Sequence, residues 1–205
     1  LTGEGRADGK YDPIANFPNI YLCLTNTLYL AIGVTIVVSS MSVLVGYVLS
    51  RFKFLGRAVT LSSTLILHSF PAVSLMIGLY YVLNVVHLTD RVLGIILAKG
   101  GLTIPFGIWV MKGFFDDVPW DIEMSALIDG ATRLQTLYKV LLPMVFPGIA
   151  AISILAFISG WSEYLFVYTF LRSSGSWTLT SYIVGALGEL GVADYGLLAA
   201  GSTFY

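Results

Sequence analysis

Charge is what this chain has least of. Only 11% of its 205 residues are Asp, Glu, Lys or Arg, against about 25% in soluble domains. No charged residue lies between Pro13 and Ser50, and from Ala58 to Thr89 only His68 and His87 could become cationic. The 11 basic and 12 acidic residues nearly cancel, and without a basic cluster no nucleic acid is expected as a partner. A single cysteine, Cys23, excludes an intramolecular disulfide and reads as core filler. His-Glu-x-x-His, Gly-x-Ser-x-Gly and any ligand-spaced cluster of His, Cys and carboxylates are missing, so no catalytic residue, metal or cofactor is expected. There is no Gly-x-x-x-x-Gly-Lys-Ser/Thr, so the chain has no P-loop for ATP. Residues 1–12 are Gly-rich and charged with no apolar core behind them, which is not a signal peptide. With no initiator Met and no polar tail after Tyr205, the chain is expected to be an internal piece of a longer protein.

What is abundant is apolar surface: 57% of residues are hydrophobic, with a mean hydropathy of +0.84. The uncharged runs exceed the ~20 residues that cross a bilayer as a helix. The expected fold is all-α, a polytopic transmembrane helical bundle forming one domain over 1–205. Four spans are expected at Leu24–Leu49, Ala58–Val86, Val92–Phe115 and Met144–Leu171, with the start of another near Tyr195–Tyr205. Ala31, Gly33, Ser39, Ser40, Ser42 and Gly46 on the first permit close helix approach in lipid. Pro71 should kink or interrupt the second, and Lys99-Gly100-Gly101 with Pro105 the third. Lys and Arg set the orientation. The 50–57 connection carries Arg51, Lys53 and Arg57, and 112–143 carries Lys112, Arg133 and Lys139, while 87–91 is balanced and 172–194 has only Arg172. Residues 50–57 and 112–143 are therefore expected in the cytoplasm and 172–194 outside, with Trp177 and Tyr182 as interfacial anchors.

Between the third and fourth spans lies a polar island, Asp117 to Ala131. Pro119 sits where a helix can begin, because its missing N–H would be unpaired there anyway. Asp116, Asp117 and Asp121 surround the positive end of the helix dipole, and Asp129-Gly130 supplies a turn or C-cap. Trp120, Met124, Leu127, Ile128 and Ala131 share one face at 3.6-residue spacing, with Asp121 and Ser125 pointing elsewhere. A second short helix is expected from Thr132 to Leu141, stopped by Pro143. The apolar stripe wants a groove.

The string Glu123-x-Ser125-Ala126-x-x-Asp129-Gly130-Ala131, followed by Leu142-Pro143, resembles the permease subunits of bacterial and archaeal ABC importers. Their loop reads Glu-Ala-Ala, three residues, Gly, then Leu-Pro. Arg51-Phe52-x-Phe54-x-Gly56-Arg57, Pro105-Phe106-x-Ile108-Trp109, Gly113-Phe114-Phe115 and Gly160-Trp161-x-Glu163-Tyr164 are similar to carbohydrate permeases, and Asn26-Thr27-Leu28 to the six-span maltose type. The resemblance implies a multi-pass cell inner-membrane protein, a translocation path shared with a second permease subunit, and membrane lipid around it. It also implies cytoplasmic ATP-binding subunits, an extracytoplasmic solute-binding protein and a sugar substrate. The 116–143 segment would be the cytoplasmic coupling loop. Trp120, Glu123, Met124, Ser125, Ala126, Leu127, Ile128, Asp129, Gly130 and Ala131 would dock on the ATPase, Trp120, Met124, Leu127 and Ile128 as the buried face of that contact. Two departures stand out: Met124-Ser125 replaces the usual polar-Ala pair, and Leu127 takes a place often held by Arg or Lys.

Charged groups inside spans come next. Lys99 lies near the outer end and is expected to snorkel. Glu163, beside Trp161, Ser162 and Tyr164, is either a sugar-facing carboxylate or a structural one paired with a neighbouring subunit or water. His68, next to Pro71, reads as a packing histidine. The rival functions are a stand-alone secondary transporter and a permease for a non-sugar solute such as a polyol or glycerol phosphate. A secondary carrier would favour several buried carboxylates or an inverted repeat, and has no need of an apolar docking helix flanked by acids.

Overall fold

The structure is a computed structural model that describes residues 20–171, 177–188, 199 and 203. The segment before Ile20, the loop 172–176 and nearly all of the expected fifth span lie outside the described residues. Among these residues every regular element is helical.

Two helices form the spine, α1 (Ile20–Arg51) and α4 (Val92–Asp116), both apolar and long enough to cross a membrane unbroken. They run parallel, with Gly33 against Ile96, Gly100 against Val37, Gly107 against Ser42 and Gly46 against Met111. A Cβ on Gly107 would stand 2.1 Å from Ser42 Oγ, so small residues are required there. Antiparallel to α1 runs α8 (Phe146–Trp161), where Gly160 meets Ala31 and Ser39 Oγ lies 2.9 Å from Ser153 Oγ. Leu30, Val34, Ile95, Met111, Phe115 and Ile152 fill the space between them. Of the small residues expected on α1, Ser40 alone faces outward.

Between α1 and α4 the chain crosses the bundle as α2 (Arg57–Ser69) and α3 (Ala72–Val85), bent by 103°. The bend is at Pro71, as expected: Phe70 and Pro71 are extended (ψ 131° and 128°). Arg57 Nε donates to Leu49 O (2.7 Å) at one end. At the other, Asp90 N donates to Phe170 O (3.1 Å), which ties the end of the bent pair to the helix that ends at Phe170.

Three expectations need correction. Pro105 does not interrupt the third span, because α4 continues through it. Gly100 and Gly107 flank Pro105 and seat α4 on α1, so close packing holds the helix on both sides of the proline. Nor is Met144–Leu171 one helix. From 133 onward the chain forms α6 (Arg133–Thr136), a π-turn (Leu137–Leu141) and α7 (Leu142–Met144), bends by 75° at Val145, and continues as α8 and then α9 (Leu165–Phe170). Pro143 does not stop the helix either, since it occupies the first turn of α7, where a missing N–H costs little. The π-turn directly ahead absorbs the ring. Spanning α8 has 16 residues, about 24 Å. The four expected spans are thus two unbroken helices and two bent ones.

Within 172–194, residues Leu179–Gly188 form α10. Leu179 N donates to Thr27 Oγ1 (2.8 Å) and Asn26 Nδ2 to Trp177 O (3.0 Å), so the segment is clamped to the start of α1. Tyr182 is buried by that clamp and is not an exposed interfacial anchor.

Candidate coupling site

At the Arg51 end of the spine the chain leaves α4, turns through Val118 and enters α5 (Trp120–Ile128). Pro119 is the residue before the helix, one position earlier than expected (ψ 136°). Asp121 and Glu123 occupy the first turn, but Asp116 does not serve the dipole. It accepts from Ser50 Oγ (2.6 Å) and pairs with Lys112, tying α1 to α4.

The end of α5 is a Schellman cap: Gly130 N donates to Leu127 O (3.1 Å) and Ala131 N to Ala126 O (3.0 Å). It needs Gly130, which sits at φ +90°. One residue later Thr132 and Gln135 form a reciprocal capping box that starts α6. The expected turn is therefore present, stopped on one side and started on the other.

Glu123 is the unexpected member, with a side chain 0% exposed. Tyr47 donates its hydroxyl to Glu123 Oε1 (3.2 Å), Arg51 Nε lies 3.1 Å from Oε2, and Arg133 Nη1 lies 3.6 Å from Oε1. The Arg51 Nε–H is not aimed at Oε2, so that contact is held by charge and not by a hydrogen bond. Arg51 is itself fixed: Nη2 donates to Val118 O (2.8 Å), and its guanidinium lies 5.5 Å from the Trp120 ring. Arg133 lies 5.1 Å over Phe52, and Tyr47 meets Phe52 and Phe115 edge-on. Removing one partner of such a buried pair costs about 3–5 kcal/mol, whereas exposed pairs contribute about 0–1.

The expected apolar face is divided. Trp120 (44%) and Ile128 (84%) are exposed, as are Asp129 and Gly130, while Met124, Ala126, Leu127 and Ala131 are half-buried. Ser125 is exposed and donates to Asp121 O (2.8 Å). Periodicity identified residues that share a face, but the side turned inward carries Glu123. Tyr47, Arg51 and Arg133 were missed. In the sequence Arg133 signalled only orientation, Arg51 orientation and a motif of the resemblance, and nothing marked Tyr47. Beside them Ser50, Arg51, Phe52, Lys53, Trp120 and Arg133 line a basic recess of about 660 Å³.

The second group of expected residues is dispersed. Glu163 is 5% exposed and ion-paired with Lys99, whose side chain is 21% exposed. Lys99 therefore turns inward to a carboxylate and does not snorkel. The other oxygen, Glu163 Oε1, accepts from Phe166 N (3.0 Å) and caps α9. The partner of Glu163 is thus in its own chain. Trp161 stacks on Phe157 (5.8 Å) and Tyr164 on Tyr168 (5.4 Å). A cavity of about 380 Å³ opens instead at the α2–α3 break, lined by His68, Phe70, Lys99, Thr103, Phe106 and Ser159, among others. His68 stacks on Phe106 (5.3 Å), a packing role that leaves it on the cavity wall.

Comparison with known proteins places this architecture. A family model described as "Binding-protein-dependent transport system inner membrane component" matches residues 40–200. The sulfoquinovosyl glycerol transport system permease protein of Agrobacterium fabrum is 33% identical over 151 residues, 74% of this chain and 53% of that protein. The trehalose/maltose transport system permease protein of Thermococcus litoralis is 29% identical over 191 residues, 93% of this chain and 68% of that protein. The crystal structure of a bacterial ABC transporter involved in the import of the acidic polysaccharide alginate matches with a TM-score of 0.77 at 25% identity, over 92% of this chain and 66% of that one. The chain spans about half the length of some of its relatives, 53% and 55% in two cases. The sequence match, the apolar helices and the shared fold agree: this chain belongs to the binding-protein-dependent transport system inner membrane components, as a multi-pass membrane protein.

Proposed function

We propose that the chain is a permease subunit of an ATP-driven ABC importer, forming part of a translocation path for a sugar or oligosaccharide. The observation that carries this reading is α5, a helix capped at its end, anchored underneath by a buried carboxylate, and left with Trp120 and Ile128 uncovered. Exposed apolar side chains on a rigid, charged loop mark a docking surface. Under this reading the surface receives a cytoplasmic ATP-binding subunit, and 116–143 is the coupling loop. The basic segments 50–57 and 112–143 face the cytoplasm, and 172–194 faces a solute-binding protein outside. The relatives' names support a sugar substrate. A second permease completes the path, which we place along the cavity at the α2–α3 break, where Glu163 stands behind the wall through its pair with Lys99.

Trp120 also contacts Arg51, so Ile128 is the cleaner probe. Ile128→Asp in the full-length protein, co-expressed with its ATPase and extracted in detergent, should leave the permease monodisperse and reduce the co-purified ATPase at least about tenfold, the effect of ~1.4 kcal/mol. A wild-type permease that brings down no ATPase, or a mutant that brings down as much as wild type, overturns the reading.

A further inference from the structure

We propose that Glu123 is a positioning residue that links the coupling helix to α1, so that displacement of α5 is delivered to the spine of the bundle and not only to its chain neighbours. The inference rests on the importer reading above.

Along the chain α5 is continuous with α4 on one side and with α6 on the other. A pull on α5 therefore reaches α4 and α8 through the backbone. It reaches α1 through side chains, and these converge on one carboxylate: Tyr47 and Arg51 from α1, joined by Arg133 from α6. Arg51 reinforces the link by donating to Val118 O, in the turn that leads into α5. A carboxylate with no accessible surface does not offer itself to a docking partner. The surface that does is made by Trp120, Ile128, Asp129 and Gly130 on the exposed side of the hairpin.

The chemistry suits a rigid link. Arginine stays protonated at any physiological pH, so the charge of Arg51 cannot be removed by titration. Between Phe52, Phe115 and the helix backbones the pair is poorly screened, and separating it would leave a buried unpaired charge. Elements joined this way move together. Because α1 and α4 are packed through Gly46 and Gly107, a displacement entering at Arg51 acts on both spine helices in the same direction.

The test is uptake per ATP hydrolysed in proteoliposomes holding the complete importer, together with the amount of ATPase co-purified. Glu123→Gln keeps the shape and removes the charge. It should retain wild-type ATPase co-purification while uptake per ATP falls about tenfold, and Glu123→Asp should restore part of it. Tyr47→Phe deletes one hydroxyl at little risk to folding and should lower the same ratio about two- to threefold. If Glu123→Gln loses the ATPase while remaining monodisperse, Glu123 belongs to the docking contact and the proposal fails. Wild-type coupling in both Glu123→Gln and Tyr47→Phe overturns it as well. A wild-type complex that captures no ATPase removes the importer reading itself, and this inference with it.

Discussion

Two buried glutamates stand towards opposite ends of the bundle, and they are neutralised in different ways. Glu123 is met by Arg51, Arg133 and Tyr47, which come from two other helices, α1 and α6. Glu163 is met by one cation, Lys99, and spends its second oxygen on the backbone N–H that starts the next helix. The arginine site is a junction of several partners: Arg51 is buried and held by Val118 O, and Arg133 closes it from the exposed rim of the recess. The lysine site is an open pair: Lys99 is partly exposed and stands on a cavity wall, held to Glu163 as a point charge on a flexible stem. The first arrangement fixes helices to one another, and the second leaves a cation that another anionic group could share.

This contrast is open to direct attack by mutation. Arg51→Met should cost the most, about 3–5 kcal/mol, because Glu123 stays buried with Arg133 only 3.6 Å away and Val118 O loses its donor. A fall in the thermal unfolding midpoint in detergent reads it. The double variant Arg51→Met/Glu123→Gln should recover only part, since Val118 O still lacks its donor and Arg133 has lost its counter-charge. A full recovery would mean that the site is a simple pair after all. Lys99→Met should cost less, about 1–3 kcal/mol, because the Phe166 N–H still holds Glu163. Here Lys99→Met/Glu163→Gln should return close to wild type, as replacing both members of a buried pair often does. Smallest is Gly130→Ala, about 1–2 kcal/mol from backbone strain at φ +90°, since nothing crowds the added methyl. The thermal unfolding midpoint in detergent reads it, and an unchanged midpoint would show that the cap tolerates a side chain at this φ.

Much of the fold was legible because a bilayer simplifies the reading. Long apolar runs pointed to α1 and to α4 despite Lys99 and Lys112 within it, Pro71 to the break between α2 and α3, and Asp129-Gly130 to the turn after α5. Local rules misled where a distant contact decided the outcome. Pro105 reads as a break, but α4 is carried through it by glycines seated on α1. Pro143 reads as a stop, but a π-turn ahead of it lets the helix run on to Met144. Helical periodicity says which side chains of α5 lie together and leaves open which of them the bundle covers: Trp120 and Ile128 stay exposed, and Glu123 turns inward. What decided the matter was a pair of α1 side chains, Tyr47 and Arg51, far upstream of Glu123. Likewise, nothing along the chain connects Lys99 with Glu163 before the helices are assembled.

The bent crossing between α1 and α4 differs from both in mechanical character. Along α2 and α3 only Thr64 and Leu83 are buried, whereas the helices beside them interlock at the scale of single atoms. The two ends of this limb are hydrogen-bonded or packed down, and at its elbow His68 stacks on Phe106 of α4. The cavity there is bounded on one side by this lightly covered limb and on the other by α4 and α8. Its outer wall is thus the side that packs least, away from the glycine-lined contact between α1 and α4.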